Sequence, residues 1–111
     1  SLEKSEQINR PSLGVSLINV TDTYRLYYYQ IQVDRNIKSG VVVAGVDNNG
    51  SASKAGIQKG DVIIKIGDKE VSNISKLKYY LYQYNIDDTI EVTFIRNNEQ
   101  KKVNIKLEGN R

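Results

Sequence analysis

Gly40-Val41-Val42-Val43-Ala44-Gly45-Val46, then Asp47-Asn48-Asn49-Gly50, then Ser51-Ala52-Ser53-Lys54-Ala55-Gly56-Ile57, then Gly60-Asp61-Val62-Ile63-Ile64-Lys65-Ile66-Gly67, is the stretch whose reading decides the fold. Its first run is continuous, apolar and β-branched, which argues for a strand buried on both faces. The Asp-Asn-Asn-Gly cluster ends that strand in a turn. Ser51 is placed to N-cap a single helical turn of small residues that Gly56 terminates. A helix that buries only alanine methyls must pack close against a sheet. Gly60-Asp61 punctuates again, a second central strand follows from Val62 to Ile66, and Gly67-Asp68-Lys69 turns into Glu70 and Val71.

Upstream, Arg10-Pro11-Ser12-Leu13-Gly14-Val15-Ser16-Leu17-Ile18 is a short turn opening into an alternating strand, with Leu13, Val15 and Leu17 on one face. Pro11 holds Arg10 extended. Glycine in the turn lets the main chain approach a ligand, and the amides of Leu13, Gly14 and Val15, if they point the same way, form a concave donor set suited to a carboxylate. Read alone, such a turn is also an ordinary loop. Residues 1–9 are polar, with lone apolar residues at Leu2 and Ile8, and read as a flexible linker or tail; residues 109–111 read as a C-terminal tail.

Residues 21–39 are the least legible. Thr21, Asp22 or Thr23 is placed to cap a short helix carrying Tyr24, Leu26, Tyr27 and Tyr28, after which Ile31 and Val33 alternate with polar residues as in a strand. One or two of the tyrosine rings are expected to cover the core; the competing reading makes the run a surface for partners.

Downstream, Asn73 or Ser75 starts the one substantial helix, over residues 75–84. Ile74, Leu77, Leu81 and Tyr84 recur on one buried stripe. Lys76, Tyr80 and Gln83 or Tyr84 lie on an adjoining stripe, at the helix border or lining a groove. Two strands close the chain, one over residues 89–96 with Ile90, Val92 and Phe94 inward, one over residues 101–107 with Val103, Ile105 and Leu107 inward. Asn97-Asn98 forms the turn between them. The sum is an α+β fold, a partly open five- to six-stranded barrel or sandwich with one long and one short helix.

Composition narrows the function. The 111 residues fit one domain able to bury a core without metal or disulfide. Without Cys or His the chain has no thiolate site, no His-ligated metal and no Ser-His-Asp triad. Asp61, Asp68, Asp87 and Asp88 fall in turns with no base or nucleophile beside them, so the chain is read as noncatalytic. Sixteen Lys and Arg against thirteen Asp and Glu give a net charge of +3. The charge is dispersed, and Lys65, Lys69, Lys76 and Lys78 read as a solvated face, not a nucleic-acid stripe. No apolar run approaches a membrane span, so the chain as given reads as soluble.

The spacing of Gly40-Val41-Val42-Val43, Val46, Ala52, Ala55-Gly56-Ile57, Gly60-Asp61-Val62-Ile63 and Ile66-Gly67 resembles the PDZ domain. Leu13-Gly14-Val15 is similar to that family's carboxylate-binding loop. The early cradle and the extra final strand resemble the circularly permuted bacterial arrangement. Arg10-Pro11 and the run from Ile86 through Asn97 are more narrowly similar to HtrA/DegP-type serine proteases, so that residues 10–108 form the domain. Three departures stand out. The family's Ser-Pro pair falls on Gly50 and Ser51, its cradle-opening aromatic residue on Ser12, and a family glycine on Asp87. Residues 21–39 have no counterpart.

The resemblance implies a noncatalytic module, in a bacterial protein-quality-control protease, that captures C-termini of misfolded or regulatory polypeptides by strand addition. Main-chain groups of Val15, Ser16, Leu17 and Ile18 would pair with the peptide. Leu13, Val15, Leu17, Leu77, Tyr80 and Leu81 would line the terminal pocket. Ser12 and Gly14 would shape the cradle, and Arg10 would attract the carboxylate. It further implies no cofactor, a protease domain in the parent chain, and a parent that is extracytoplasmic or at the cell surface, with membrane tethering outside this chain and oligomerisation left open. The alternatives are a PDZ module of another bacterial protease class, a scaffold, or a module that docks through residues 24–29.

Overall fold

Two strand irregularities interrupt the pairing of the main sheet. In the computed structural model, which describes residues 10–109, strand β2 (Val15–Asn19) pairs antiparallel with β3 (Val41–Val46), and the register slips between Ser16 and Leu17. Ser16 opposes Gly45 and Leu17 opposes Val43, so Ala44 is the extra residue. The bulge resets the alternation, and Val43 and Val46 both reach the same core although three positions apart. The same device recurs where β4 (Val62–Ile66) meets β6 (Thr89–Arg96). Ile64 is skipped there, and Ile63 and Ile66 both enter that core.

The strand order in the sheet is β2-β3-β4-β6-β7, where β7 is Glu99–Lys106 and the short β5 (Lys69–Glu70) pairs with β4. All these pairings are antiparallel. Asn97 and Asn98, at φ 53° and 65°, make the tight turn between β6 and β7. A separate two-stranded ribbon joins β1 (Pro11–Ser12) to β8 (Glu108–Gly109), so pairing continues one residue past the expected boundary at 108. The expected linker at residues 1–9 lies outside the described residues.

The main core contains Val41, Val43, Ile63, Ile66, Val92, Phe94 and Ile105, and helix α3 (Ile74–Leu81) closes it with Leu77 and Leu81. Asn73 caps α3 by accepting the Lys76 amide, so the helix starts where the sequence indicates and stops at Leu81, with Tyr82 already its C-cap. Helix α2 (Ser51–Ala55) packs beside β7 and ends on Gly56 at φ 99°. Ser51 is not its cap: Gly50 holds that position, and the Ser51 amide and hydroxyl both donate to Glu108 Oε1, at 2.6 and 2.7 Å. Asp87, where a glycine was expected, takes φ 77°.

A second apolar cluster lies on the back of the sheet, where Ile18, Val20, Val42 and Val62 meet Leu26 and Ile31. Helix α1 (Thr23–Tyr28), capped by Asp22, brings Leu26 there. The rings do otherwise than expected. Tyr24, Tyr27, Tyr28 and Tyr29 are all exposed, Tyr27 to 84%, because the one buried face of a six-residue helix is taken by Leu26. Residues 31–34 form no strand either; Ile31 is buried and Val33 packs on the cluster without a partner strand.

Asp61 closes the expected turn, its amide donating to the Gln58 carbonyl, and is also a buried hub. It is 1% exposed, takes Arg96 Nε at 2.9 Å and Nη2 at 2.7 Å, and accepts the Gln58 amide at 2.8 Å. Arg96 Nη2 also reaches the Gly56 carbonyl. The hydrogen bonds to Asp61 raise the Arg96 pKa further against the opposing effect of burial, so the guanidinium stays charged.

Candidate functional site

The turn at Leu13-Gly14 is held from behind. The Leu13 carbonyl accepts the Ala52 amide and the Gly14 carbonyl accepts the Asp47 amide, each at 2.9 Å. In a planar trans peptide the N–H lies opposite the C=O. Anchoring those two carbonyls to the first turn of α2 and to the loop before it therefore turns the Gly14 and Val15 N–H groups away from that anchoring loop. The Gly14 amide donates to Ser12 Oγ at 3.2 Å, so a side-chain oxygen of the chain itself sits at this donor. Gly14 has φ 74°, and a Cβ there would lie 3.3 Å from Glu108 Oε2 and 3.4 Å from Gly50 Cα. Both the backbone angle and the close packing require glycine.

From this turn β2 runs as an edge strand, hydrogen-bonded to β3 on one side only among the described residues. Facing it across a groove of about 220 Å³ is α3. The groove is lined by Pro11, Ser12, Leu13, Gly14, Val15 and Leu17 on the strand side and Leu77, Lys78, Leu81 and Tyr82 on the helix side. Its floor is apolar: Leu13, Leu77 and Leu81 are buried, and Val15 and Leu17 pack on the same core. Among the described residues no Asp or Glu lines it.

Most of the sequence-selected residues converge here. Ser16 is exposed on β2, and the Ile18 side chain points into the back cluster, so only its main chain belongs to the edge. Tyr80 is the exception on the helix. It packs against the main core and edge-on to Tyr79, and is absent from the groove lining. Lys78 and Tyr82 stand there instead, one turn apart on α3. Arg10 lies over the Tyr82 ring, 5.0 Å from its centroid, at the cradle end of the groove. Tyr80 and Tyr82 are two residues apart, about 200° around the helix, so they stand on opposite sides of the Leu77–Leu81 stripe, and periodicity alone does not say which side faces β2.

The PDZ domain family model matches residues 11–107. The chain belongs to the PDZ-domain family. This PDZ domain is similar to part of "Serine protease Do-like HtrA" of Lactobacillus helveticus, 39% identical over 109 residues that cover 98% of this chain and 26% of that protein. It is likewise similar to "Serine protease Do-like HtrA" of Lactococcus lactis subsp. cremoris, 35% identical over 106 residues, 96% of this chain and 26% of that one. The PDZ domain thus spans about a quarter of the length of these relatives. Among solved structures, "HtrA-type protease AlgW with decapeptide" superposes with a TM-score of 0.77 at 23% identity, covering 93% of this chain and 30% of that one. The HtrA3 PDZ domain bound to a phage-derived ligand (FGRWV) gives 0.72 at 20% identity, covering 93% and 90%. These likenesses confirm the fold and the expected resemblance to HtrA-type PDZ domains. Among the described residues no helix is long and apolar enough to cross a membrane.

Proposed function

We propose that the groove between β2 and α3 captures the free C-terminus of another polypeptide, which adds to β2 as an antiparallel strand. The supporting observation is the open edge of β2 beginning at a turn whose Gly14 and Val15 amides face away from their anchoring loop. Main-chain pairing is nearly blind to sequence, so selection falls to the apolar floor, which favours a terminal Val, Leu, Ile or Phe. Burying such a side chain contributes about 1.5–3 kcal/mol. With ordering costs subtracted, binding near micromolar, about −8 kcal/mol, is expected.

The parent is proposed to be an HtrA-type serine protease, outside the cytoplasm, whose protease domain gains damaged or regulatory substrates through this module. Likeness to the two relatives and a solved neighbour holding a peptide supports this. Titrating the 15N-labelled domain with a peptide ending in Val is expected to shift the amides of Leu13, Gly14, Val15 and Leu17, and amidating the peptide to weaken binding by tenfold or more (roughly the loss of charge-assisted hydrogen bonds). Equal shifts from both peptides sink carboxylate capture.

The groove's charge makes a second prediction. Lys78 lines the groove and Arg10 stands at its cradle end, with no acidic residue among the described lining residues, so a peptide carrying Asp or Glu upstream of its terminal residue should bind tighter than its Lys counterpart. Exposed pairs contribute about 0.2–1 kcal/mol, up to about fivefold. Lys78→Glu should reverse the preference, and 0.5 M salt should erase it; a preference that survives both is not electrostatic.

A further inference from the structure

The two walls of the groove are joined by a side chain at the end remote from the cradle. Asn19, the last residue of β2, accepts the Ile74 amide through Oδ1 at 2.7 Å, across 55 positions of sequence. Ile74 is the first residue of α3, so its amide has no acceptor within the helix. Asn73 already caps that helix, but through the Lys76 amide. Asn19 is therefore not the cap. It is a tie from the strand wall to the helix wall.

We propose that Asn19 is a positioning residue that sets the separation of β2 and α3, and with it the fit of a ligand strand between them. The segment entering α3 is held by the Gly40 amide on the Ser72 carbonyl at 3.1 Å, and the helix itself rests on the core through Leu77 and Leu81, with Ile74 and Tyr80 packed beside them; Asn19 is the side chain that ties the helix start to β2 itself. The apolar contacts resist separation but permit a helix to slide or tilt, whereas a 2.7 Å hydrogen bond fixes both direction and distance. At the cradle end the walls meet through Arg10 over Tyr82, a looser contact between an exposed guanidinium and a ring. The remote end is thus the fixed one, and the cradle end is where the walls can adjust to the ligand's terminal side chain. The tie also ends the groove: a chain longer than β2 must leave the sheet edge at Asn19.

This inference rests on the peptide-binding reading, and one experiment separates the two. Affinities of the wild type, Asn19→Ala and Asn19→Asp are measured by fluorescence anisotropy with a labelled peptide ending in Val, as free acid and as amide, alongside melting temperatures. Asn19→Ala should weaken the free acid about three- to tenfold, the size of one hydrogen bond. Asn19→Asp keeps an oxygen in place and should stay within about twofold of wild type, whatever its melting temperature. Hydrogen exchange at the Ile74 amide should accelerate in the alanine variant and not in the aspartate variant. If alanine is not tolerated, Asn19→Ser, too short to reach Ile74, takes its place. Unchanged affinity in the alanine or serine variant with accelerated Ile74 exchange overturns the positioning role, as does an aspartate variant as weak as alanine. A wild type that binds acid and amide alike overturns the peptide-binding reading itself.

Discussion

Gly14→Val is expected to lose binding of a peptide with a free C-terminus by at least about thirtyfold while the domain still folds. Two separate effects act at this position. A β-branched residue does not hold φ 74° without strain, which costs about 1–3 kcal/mol. The new Cβ would also stand 3.3 Å from Glu108 Oε2 and 3.4 Å from the Gly50 main chain, which has little room to give. The turn relieves both by rotating to negative φ, and that rotation carries the Gly14 amide away from the groove. Losing a charge-assisted hydrogen bond to a carboxylate costs about 1.5–3 kcal/mol, and the displaced strand start adds to it. The measurement is anisotropy with the free acid, with urea unfolding to gauge the folded fraction. A variant that unfolds near the wild-type midpoint and binds as tightly removes Gly14 from the site.

Asp61→Ala is expected to lower stability by about 2–4 kcal/mol, a large share of the roughly 5–15 kcal/mol typical of a domain. Removing the carboxylate leaves the Gln58 amide without its acceptor and the Arg96 guanidinium without its counter-charge. Arg96 retains partial access to water, 26% of its side chain, which keeps the loss below that of a fully enclosed pair. The urea midpoint should fall by about 1–2 M at unchanged slope. Affinity of the folded fraction for the peptide should stay within about twofold, because Asp61 does not line the groove. A loss under 1 kcal/mol would mean that the hub is dispensable.

These two residues also mark what the sequence discloses. Gly14 sits in a local pattern, a turn opening into an alternating strand, and local patterns carry their own geometry. The same holds for the small-residue spacing from Gly40 to Gly67, for the stripe of Leu77 and Leu81, and for Asn97-Asn98. Asp61 reads as a turn residue, which it is, but its role as a hub stays hidden because its partner Arg96 lies 35 positions away and no period links them. Ile31 and Val33 alternate like a strand, but alternation records only which side is buried; a strand needs a partner edge, and none is there. The placement of the tyrosines is hidden in the sequence for a related reason. Which ring of a short helix is covered depends on where the helix lands, and α1 lands on Leu26.

Ile18 and Leu17 are neighbours with opposite duties, one seated in the back cluster beneath α1 and the other beside the groove. The strand that walls the groove is therefore braced from its rear by Leu26 and Ile31, from the segment over residues 21–39. Substitutions between positions 21 and 39 have a route to the groove without lining it. Cutting that segment away would bare Val42 and Val62 to water and take the brace with it, so the shortest version of this fold would lack the support behind the groove strand.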